Sequence, residues 1–398
     1  MMKPSSRSNT IEYAIRDVMV PASKLEKKGI VLTKLNIGDP NKFDFKTPQH
    51  MLDAVCDSTE RFDMGYTPSE GFPEFRQAIL DYEKSKNDIQ ATMDDVLVTN
   101  GVSEAINMIF AASLDEGDKL LLPDPSYSTY NSLAKFYSAS PVEYTTIEEE
   151  DWVCDVDSIR KNIDEKTKCL VLINPNNPTG SLIPKNVVQE MVDICGEHDL
   201  FLISDEIYDR LTFDGKFYSP VTYSKDVPIV LMNGFSKLYL VPGWRVGYMC
   251  FHDPEGKMSG IEESVKKMAR LRLSPNAPCQ KACYAALKGP QDHIKDLIGK
   301  LHERRDFAYR RINEIDGLET RRPEGAFYIF PKITHKGWTN DKKFVLDVLE
   351  NCHVLFVHGS GFSSDKGKMH FRSVFLPPVE TMEDAFSRVE SYLRSVKG

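Results

Sequence analysis

Short, continuous apolar segments alternate with helical segments through the middle of the chain, and this alternation is the strongest constraint on its fold. Residues 119–123, 167–173, 200–204 and 227–232 are such segments, and residues 185–198 between them have amphipathic helical spacing. A strand that is buried on both faces has a continuous apolar sequence, and its parallel neighbour requires a helical crossover. The pattern therefore predicts an α/β fold with a mostly parallel sheet covered by helices.

Polar clusters follow the predicted strands at the points where they end. The sequence NPNNPTG follows Ile173, an Asp-Glu pair follows Ser204, and the segment GFSKLYLVPGWRVGY follows Met232. Ligands of open parallel sheets bind at the carboxyl ends of the strands. We therefore expect these three clusters to surround one ligand.

Two cations stand out in the last of these clusters, which is otherwise apolar and punctuated by glycine. A lysine in an apolar environment has a lowered pKa and becomes a nucleophile that suits Schiff-base chemistry, which is one interpretation of Lys237. The other is a surface lysine with a buried stem. Arg245 has the planar guanidinium that binds phosphate through paired hydrogen bonds, or it forms an ion pair at a domain edge.

Two further features complete a possible cofactor site. Asp205 ends a predicted strand without an adjacent cation, so it can hold a protonated ring nitrogen, with Tyr208 three residues away. The alternatives are a helix cap and core packing. The sequence TNGVSE, residues 99–104, precedes a predicted helix whose first amides form an anion site or an ordinary N-cap. Together these parts match the chemistry of pyridoxal phosphate.

Composition limits the other possibilities. The chain has 398 residues, which favours two domains, and its net charge of −9 argues against a nucleic-acid partner. Its eight cysteines include no CxxC pair, so we expect free thiols in a reducing cytoplasm. No apolar run reaches the roughly 18–20 residues of a membrane helix, and the N-terminus has no secretory pattern. We expect a cytoplasmic protein without a metal site.

Taken together, four motifs resemble the class I aminotransferases of fold type I. The motifs are SK-x₇-R-x-G (Ser236, Lys237, Arg245, Gly247), NPTG (residues 177–180), D-x-x-Y (Asp205, Tyr208) and Y-x-P-x-x-G (Tyr66, Pro68, Gly71). The resemblance extends from Leu35 to the C-terminal helix. It implies a large domain, residues 44–295, with a mostly parallel seven-stranded sheet between helices, and a smaller α+β domain formed by residues 1–43 and 296–398.

The resemblance also implies how pyridoxal 5′-phosphate is held. Lys237 carries the internal aldimine and then moves the proton between the substrate Cα and the cofactor. Asp205 holds the pyridinium nitrogen, Tyr208 and Asn177 bind the phenolic oxygen, and Tyr127 stacks on the ring. The phosphate ligands implied are Val102, Ser103, Ser236 and Arg245. Some family members have a serine where this chain has Gly234, so one phosphate contact is expected to be absent or supplied by Ser236.

Substrate and subunit contacts follow from the same resemblance. Arg372 in HFRSVF clamps the substrate α-carboxylate, which also faces Asn177, and Gly38 in NIGDP adds a backbone contact. Tyr66 reaches the phosphate of a neighbouring subunit, which implies a homodimer that acts on amino acids and 2-oxo acids.

The C-terminal segments indicate which aminotransferase this is. GWRVGYMCFHDPEGK, RLRLSPNAPCQ, GAFYIFPKI, VLFVHGSGF and HFRSVFLPP are similar to the alanine aminotransferases of archaea and bacteria. The reaction implied is L-alanine + 2-oxoglutarate to pyruvate + L-glutamate by a ping-pong mechanism. Aspartate and aromatic aminotransferases are the alternatives within the class, and a β-lyase with the same cofactor is the alternative outside it. Arg270 and Arg272 have no assigned role at this stage.

Overall fold

A large central sheet organises the structure, which is a computed structural model that describes residues 2–11, 18–61, 64–363 and 365–397. The described residues form the helices α1 Met19–Glu26, α2 Gln49–Glu60, α3 Pro73–Lys86, α4 Val102–Ser113, α5 Ser128–Phe136, α6 Val156–Asn162, α7 Lys185–Glu197, α8 Ser259–Arg272, α9 Ala277–Lys288, α10 Asp292–Asn313, α11 Asp341–Cys352 and α12 Val379–Ser395. None of these helices is long and apolar enough to cross a membrane.

The strands are short, and four of the fifteen between described residues overlap the four predicted apolar segments. They are β1 Thr33–Lys34, β2 Val96–Thr99, β3 Lys119–Asp124, β4 Ser140–Ile147, β5 Val153–Cys154, β6 Thr167–Ile173, β7 Phe201–Asp205, β8 Ile229–Gly234, β9 Gly247–His252, β10 Leu318–Glu319, β11 Tyr328–Ile329, β12 Lys332–Ile333, β13 Val354–Leu355, β14 Val357–His358 and β15 Phe371–Val374.

The large sheet has the strand order β2-β9-β8-β7-β6-β3-β4-β5. Strands β8, β7, β6, β3 and β4 pair in parallel, and β9 is antiparallel to both of its neighbours. The mostly parallel sheet between helices is therefore confirmed. It has eight strands where the resemblance implied seven, because the two-residue β5 pairs antiparallel with the edge strand β4.

Alternate residues of a central strand enter different hydrophobic cores, which explains its continuous apolar sequence. In β6, Leu170 and Leu172 pack into the core on one face, whereas Cys169 and Val171 pack into the core on the other. Both faces are covered by helices, so neither set of side chains reaches solvent. Each fully buried leucine contributes about 1.5–3 kcal/mol relative to exposure.

Three small sheets lie in the regions assigned to the smaller domain. They pair β1 with β13, β10 with β12, and β11 with β15 and β14. The segment 325–333 contains the two short strands β11 and β12, with Pro331 between them. Helix α10 begins at Asp292 and therefore crosses the expected boundary at residue 295. The division into residues 44–295 and 1–43 with 296–398 stays a prediction.

Three glycine backbones meet at the carboxyl edge of the large sheet. A Cβ atom on Gly247 would lie 2.8 Å from the Cα atom of Gly101, and a Cβ atom on Gly234 would lie 2.9 Å from the Cα atom of Gly247. Gly234 and Gly247 are paired across β8 and β9. The backbone before α4 therefore rests directly on β9, which lies equally close to β8 at this point.

This contact predicts the effect of placing a serine at position 234. Gly234→Ser is expected to lower the free energy of unfolding by about 1–3 kcal/mol, because the new side chain has no space. Chemical denaturation followed by circular dichroism measures the change. Gly260→Ser is the control, since beyond the neighbouring residues and the backbone of its own helix nothing lies within 4 Å of the Cβ position there. A Gly234→Ser protein as stable as this control would contradict the steric argument.

Candidate active site

A cavity of about 210 Å³ lies at the carboxyl edge of the sheet, beyond the ends of β6, β7 and β8. The structure brings eleven of the twelve sequence-predicted site residues to its wall. They are Gly38, Val102, Ser103, Tyr127, Asn177, Asp205, Tyr208, Ser236, Lys237, Arg245 and Arg372. Gly234 does not line the cavity, whereas Ser236 does. The polar clusters after successive strands thus meet at one place, as the parallel sheet requires.

Lys237 lies on the loop that follows β8 and points into the cavity. Its Nζ atom donates a hydrogen bond to the carbonyl oxygen of Gly38 at 2.9 Å and lies 5.4 Å from the ring centre of Phe327. Burial, together with the nearby guanidinium groups of Arg372 and Arg245, lowers the pKa of Lys237 to about 8, against the opposing effect of nearby carboxylates. The amine is therefore available as a neutral nucleophile close to physiological pH.

Asp205 ends β7 as a buried carboxylate without a strong cationic partner. Its Oδ2 atom accepts a hydrogen bond from the Tyr130 hydroxyl at 2.8 Å, and Oδ1 accepts one from the Ile207 amide at 3.3 Å. Burial raises the pKa of Asp205 to about 6, against the opposing effect of these hydrogen bonds. None of the ion pairs between described residues includes it. Such a carboxylate fits a cationic group on a ligand.

Two tyrosines that the sequence interpretation missed support this part of the cavity. The Tyr328 hydroxyl lies 2.7 Å from the Tyr208 hydroxyl, and the Tyr328 ring centre lies 4.5 Å from the guanidinium carbon of Arg372. Tyr130 supports Asp205 as described above. Tyr127 and Tyr130 are three residues apart at the start of α5, so helical spacing could have indicated that both face the same site. Tyr328 carried no comparable signal.

The opposite end of the cavity is formed by the first turn of α4. Val102 and Ser103 begin this helix, and the first amides of a helix have no acceptor within it. Gly101 has φ 78°, and a Cβ atom there would lie 2.4 Å from Nη2 of Arg245. Arg245 donates to the carbonyl oxygens of Pro242 at 3.0 Å and Asn100 at 3.2 Å. This end is a built anion site that combines a helix terminus with a guanidinium.

Arg372 forms a second, separate anion site on β15. It is 1% exposed and donates from Nη1 to Oδ1 of Asn177 at 2.9 Å and from Nη2 to the carbonyl oxygen of Asn36 at 2.7 Å. These bonds hold the planar group in one orientation at the cavity wall. A guanidinium fixed in this way suits a carboxylate.

Tyr66 is the predicted site residue that the structure does not bring to the cavity. Its side chain is 86% exposed, and Met64, Leu271 and Leu273 are also exposed. The Ser69 hydroxyl donates to the carbonyl oxygen of Leu273 at 2.7 Å, so the Tyr66 loop and the end of α8 share one surface. Within one chain Tyr66 therefore does not line the cavity.

Known proteins resemble this chain over nearly its whole length. Residues 30–389 match the family described as "Aminotransferase class I and II". A solved structure of an alanine aminotransferase from Pyrococcus furiosus superposes with a TM-score of 0.97 and 54% identity, covering 98% of this chain and all of that one. The glutamate-pyruvate aminotransferase AlaA of Haemophilus influenzae is 37% identical over 98% of this chain and 99% of its own length. An alanine aminotransferase of Mycobacterium tuberculosis is 35% identical over 99% of this chain and 93% of its own length.

The environment of Lys237 predicts its titration in the cofactor-free protein. Trace acetylation across a pH series, read by mass spectrometry of the Lys237 peptide, should give a midpoint near pH 8, with the reactive neutral amine predominating above it. Arg372→Gln should raise this midpoint because a cation that disfavours protonation is removed. Arg372→Lys keeps the charge and should preserve it. A wild-type midpoint near 10.5, the ordinary lysine value, would contradict the burial argument.

Proposed function

Because the chain belongs to the class I and II aminotransferase family, we propose that it transfers the amino group of L-alanine to 2-oxoglutarate, giving pyruvate and L-glutamate. The observation that carries this proposal is the presence of Lys237, Asp205, Arg245 and Arg372 around one cavity. The choice of alanine is supported by the names of the Pyrococcus, Haemophilus and Mycobacterium relatives.

Enzymes of this family use pyridoxal 5′-phosphate, and the residues of the cavity fit this group. When bound, the cofactor supplies an aldehyde that takes up the amino group and a ring that withdraws electrons from the substrate Cα. The proposed contacts are Asp205 to the ring nitrogen, Lys237 to the aldehyde carbon, and Arg245 with the first amides of α4 to the phosphate. The buried, unpaired carboxylate at one end and the built anion site at the other support this orientation.

The remaining residues orient the substrate and move its proton. The Lys237 amine, with its pKa lowered to about 8, is suited to take the proton from the substrate Cα and to return it. Arg372 binds the substrate α-carboxylate. Asn177, which accepts a hydrogen bond from Arg372, also faces this carboxylate. We assign to Tyr208 a hydrogen bond to the phenolic oxygen of the cofactor, and its contact with the Tyr328 hydroxyl supports this role.

The cations of the cavity are all used by the cofactor and the substrate α-carboxylate. Among the described residues that line it, they are Lys237, Arg245 and Arg372. The distal carboxylate of 2-oxoglutarate, like that of an aspartate donor, therefore needs a partner other than these three groups. The names of the relatives carry the choice of alanine as the donor.

Steady-state kinetics test the proposed reaction. With alanine and 2-oxoglutarate both varied, reciprocal plots should give parallel lines, as expected when pyruvate leaves before 2-oxoglutarate binds. Lys237→Ala should lower kcat by about 10³-fold or more, because the nucleophile and proton carrier are lost. Intersecting lines would reject the ping-pong mechanism. A panel of amino donors tests the choice of alanine, and a faster reaction with aspartate or an aromatic amino acid would contradict it. Release of pyruvate without a 2-oxo acid would indicate a lyase.

We further propose that the enzyme is a cytoplasmic homodimer in which Tyr66 binds the phosphate in the neighbouring subunit. The exposed apolar surface around Tyr66 supports a protein contact there. All eight cysteines are free and seven are buried, as expected for a reducing compartment.

Mixed dimers test the role of Tyr66. Lys237→Ala subunits are combined with Tyr66→Phe subunits, so that a hybrid contains one site with wild-type Lys237 and a wild-type Tyr66 from the partner. We expect the mixture to contain a class of sites with wild-type cofactor affinity, which neither parent shows. If Tyr66 acted within its own chain, or not at all, mixing would restore nothing.

A further inference from the structure

Glu104 lies in the first turn of α4, the turn whose amides form the anion site. Its Oε2 atom accepts a hydrogen bond from the Asn100 amide at 2.6 Å, and Oε1 accepts one from the Asn100 side chain at 3.1 Å. The Asn100 carbonyl oxygen in turn accepts a hydrogen bond from Arg245. Glu104 thus fixes the backbone that enters the helix and carries one of the acceptors for Arg245.

A carboxylate at this position also has a cost for anion binding. Acidic groups in the first turn interact favourably with the helix dipole, so they satisfy the same positive potential that a phosphate would use. The Glu104 side chain is 18% exposed, and charges that are largely shielded from water interact more strongly than exposed ones. An uncompensated Glu104 would therefore repel a phosphate at the amides of Val102 and Ser103.

Arg272, the last residue of α8, compensates this charge. Its Nη1 atom donates to Oε2 of Glu104 at 2.7 Å and to the Val98 carbonyl oxygen at 3.1 Å, and Nη2 donates to the Ser69 carbonyl oxygen. The Arg272 side chain is 12% exposed. The guanidinium is thus held by backbone acceptors on two other segments, and it neutralises Glu104 without removing the carboxylate from Asn100.

We propose that Arg272 is a positioning residue for the phosphate of the cofactor, acting through Glu104. Its positive charge allows Glu104 to hold the Asn100 backbone without repelling the phosphate at the start of α4. The inference rests on the proposed placement of the pyridoxal phosphate group at this helix terminus.

Binding measurements on wild-type and variant protein, stripped of cofactor by dialysis, test this role. Arg272→Gln is expected to weaken pyridoxal phosphate binding by about 10- to 100-fold, measured by absorbance titration. Pyridoxal, which lacks the phosphate, should bind both proteins equally. Arg272→Gln combined with Glu104→Gln should recover most of the lost affinity, because the unpaired charge is gone. Equal weakening of both ligands, without recovery in the double variant, would overturn the proposal.

Two further variants keep the test decisive. Lys266→Gln is the matched control, since Lys266 also pairs with a mostly buried glutamate on α8, Glu262, at 2.6 Å, and its loss should leave the affinity for pyridoxal phosphate unchanged. Glu104→Gln alone should bind pyridoxal phosphate at least as tightly as wild type, and this measurement does not depend on the folding of Arg272→Gln. Binding weakened about tenfold by Glu104→Gln would overturn the proposal. A wild-type protein that binds no pyridoxal phosphate would instead reject the proposed function.

Discussion

The contact between three glycine backbones is the constraint on which the active-site geometry depends. Gly234 ends β8, Gly247 begins β9, and Gly101 precedes α4, and no side chain fits between them. Lys237 follows the first glycine by three residues and Arg245 precedes the second by two. The closeness of these backbones therefore fixes the separation between the backbone positions of Lys237 and Arg245 and the start of α4, from which their side chains reach into the cavity.

The charges held by this frame are complementary to a ligand. Three cations and one carboxylate line the described cavity, and the carboxylate has no ion-pair partner there. Charges removed from water are unfavourable unless they are paired. In the protein without a ligand, these buried groups therefore destabilise the cavity. The lowered pKa of Lys237 and the raised pKa of Asp205 are consequences of this burial. Ligand charges would pair with these residues: a phosphate at one end of the cavity, a ring cation at the other and a substrate carboxylate on Arg372. This pairing explains why the charged side chains lie together.

The sequence predicted the sheet and the residues after its strands because both follow local rules. Continuous apolar runs indicate buried parallel strands, and the carboxyl ends of parallel strands meet at one edge. The motifs placed Lys237 and Asp205 without knowledge of any long-range contact. Tyr328 and Arg272 were not assigned, because their roles depend on residues 120 and 168 positions away, Tyr208 and Glu104. The two-residue strand β5 was also missed, since so short an edge strand leaves almost no sequence pattern.

The position of Arg272 connects two parts of the site that the sequence presents as unrelated. One hydrogen bond goes to Glu104 beside the anion site, and another goes to the Ser69 carbonyl oxygen, three residues after Tyr66. In the proposed dimer, Tyr66 serves the site of the neighbouring subunit. One guanidinium then contacts both the support of its own phosphate site and the loop that completes the other. The loop and the helix terminus are thereby linked through one rigid, planar group.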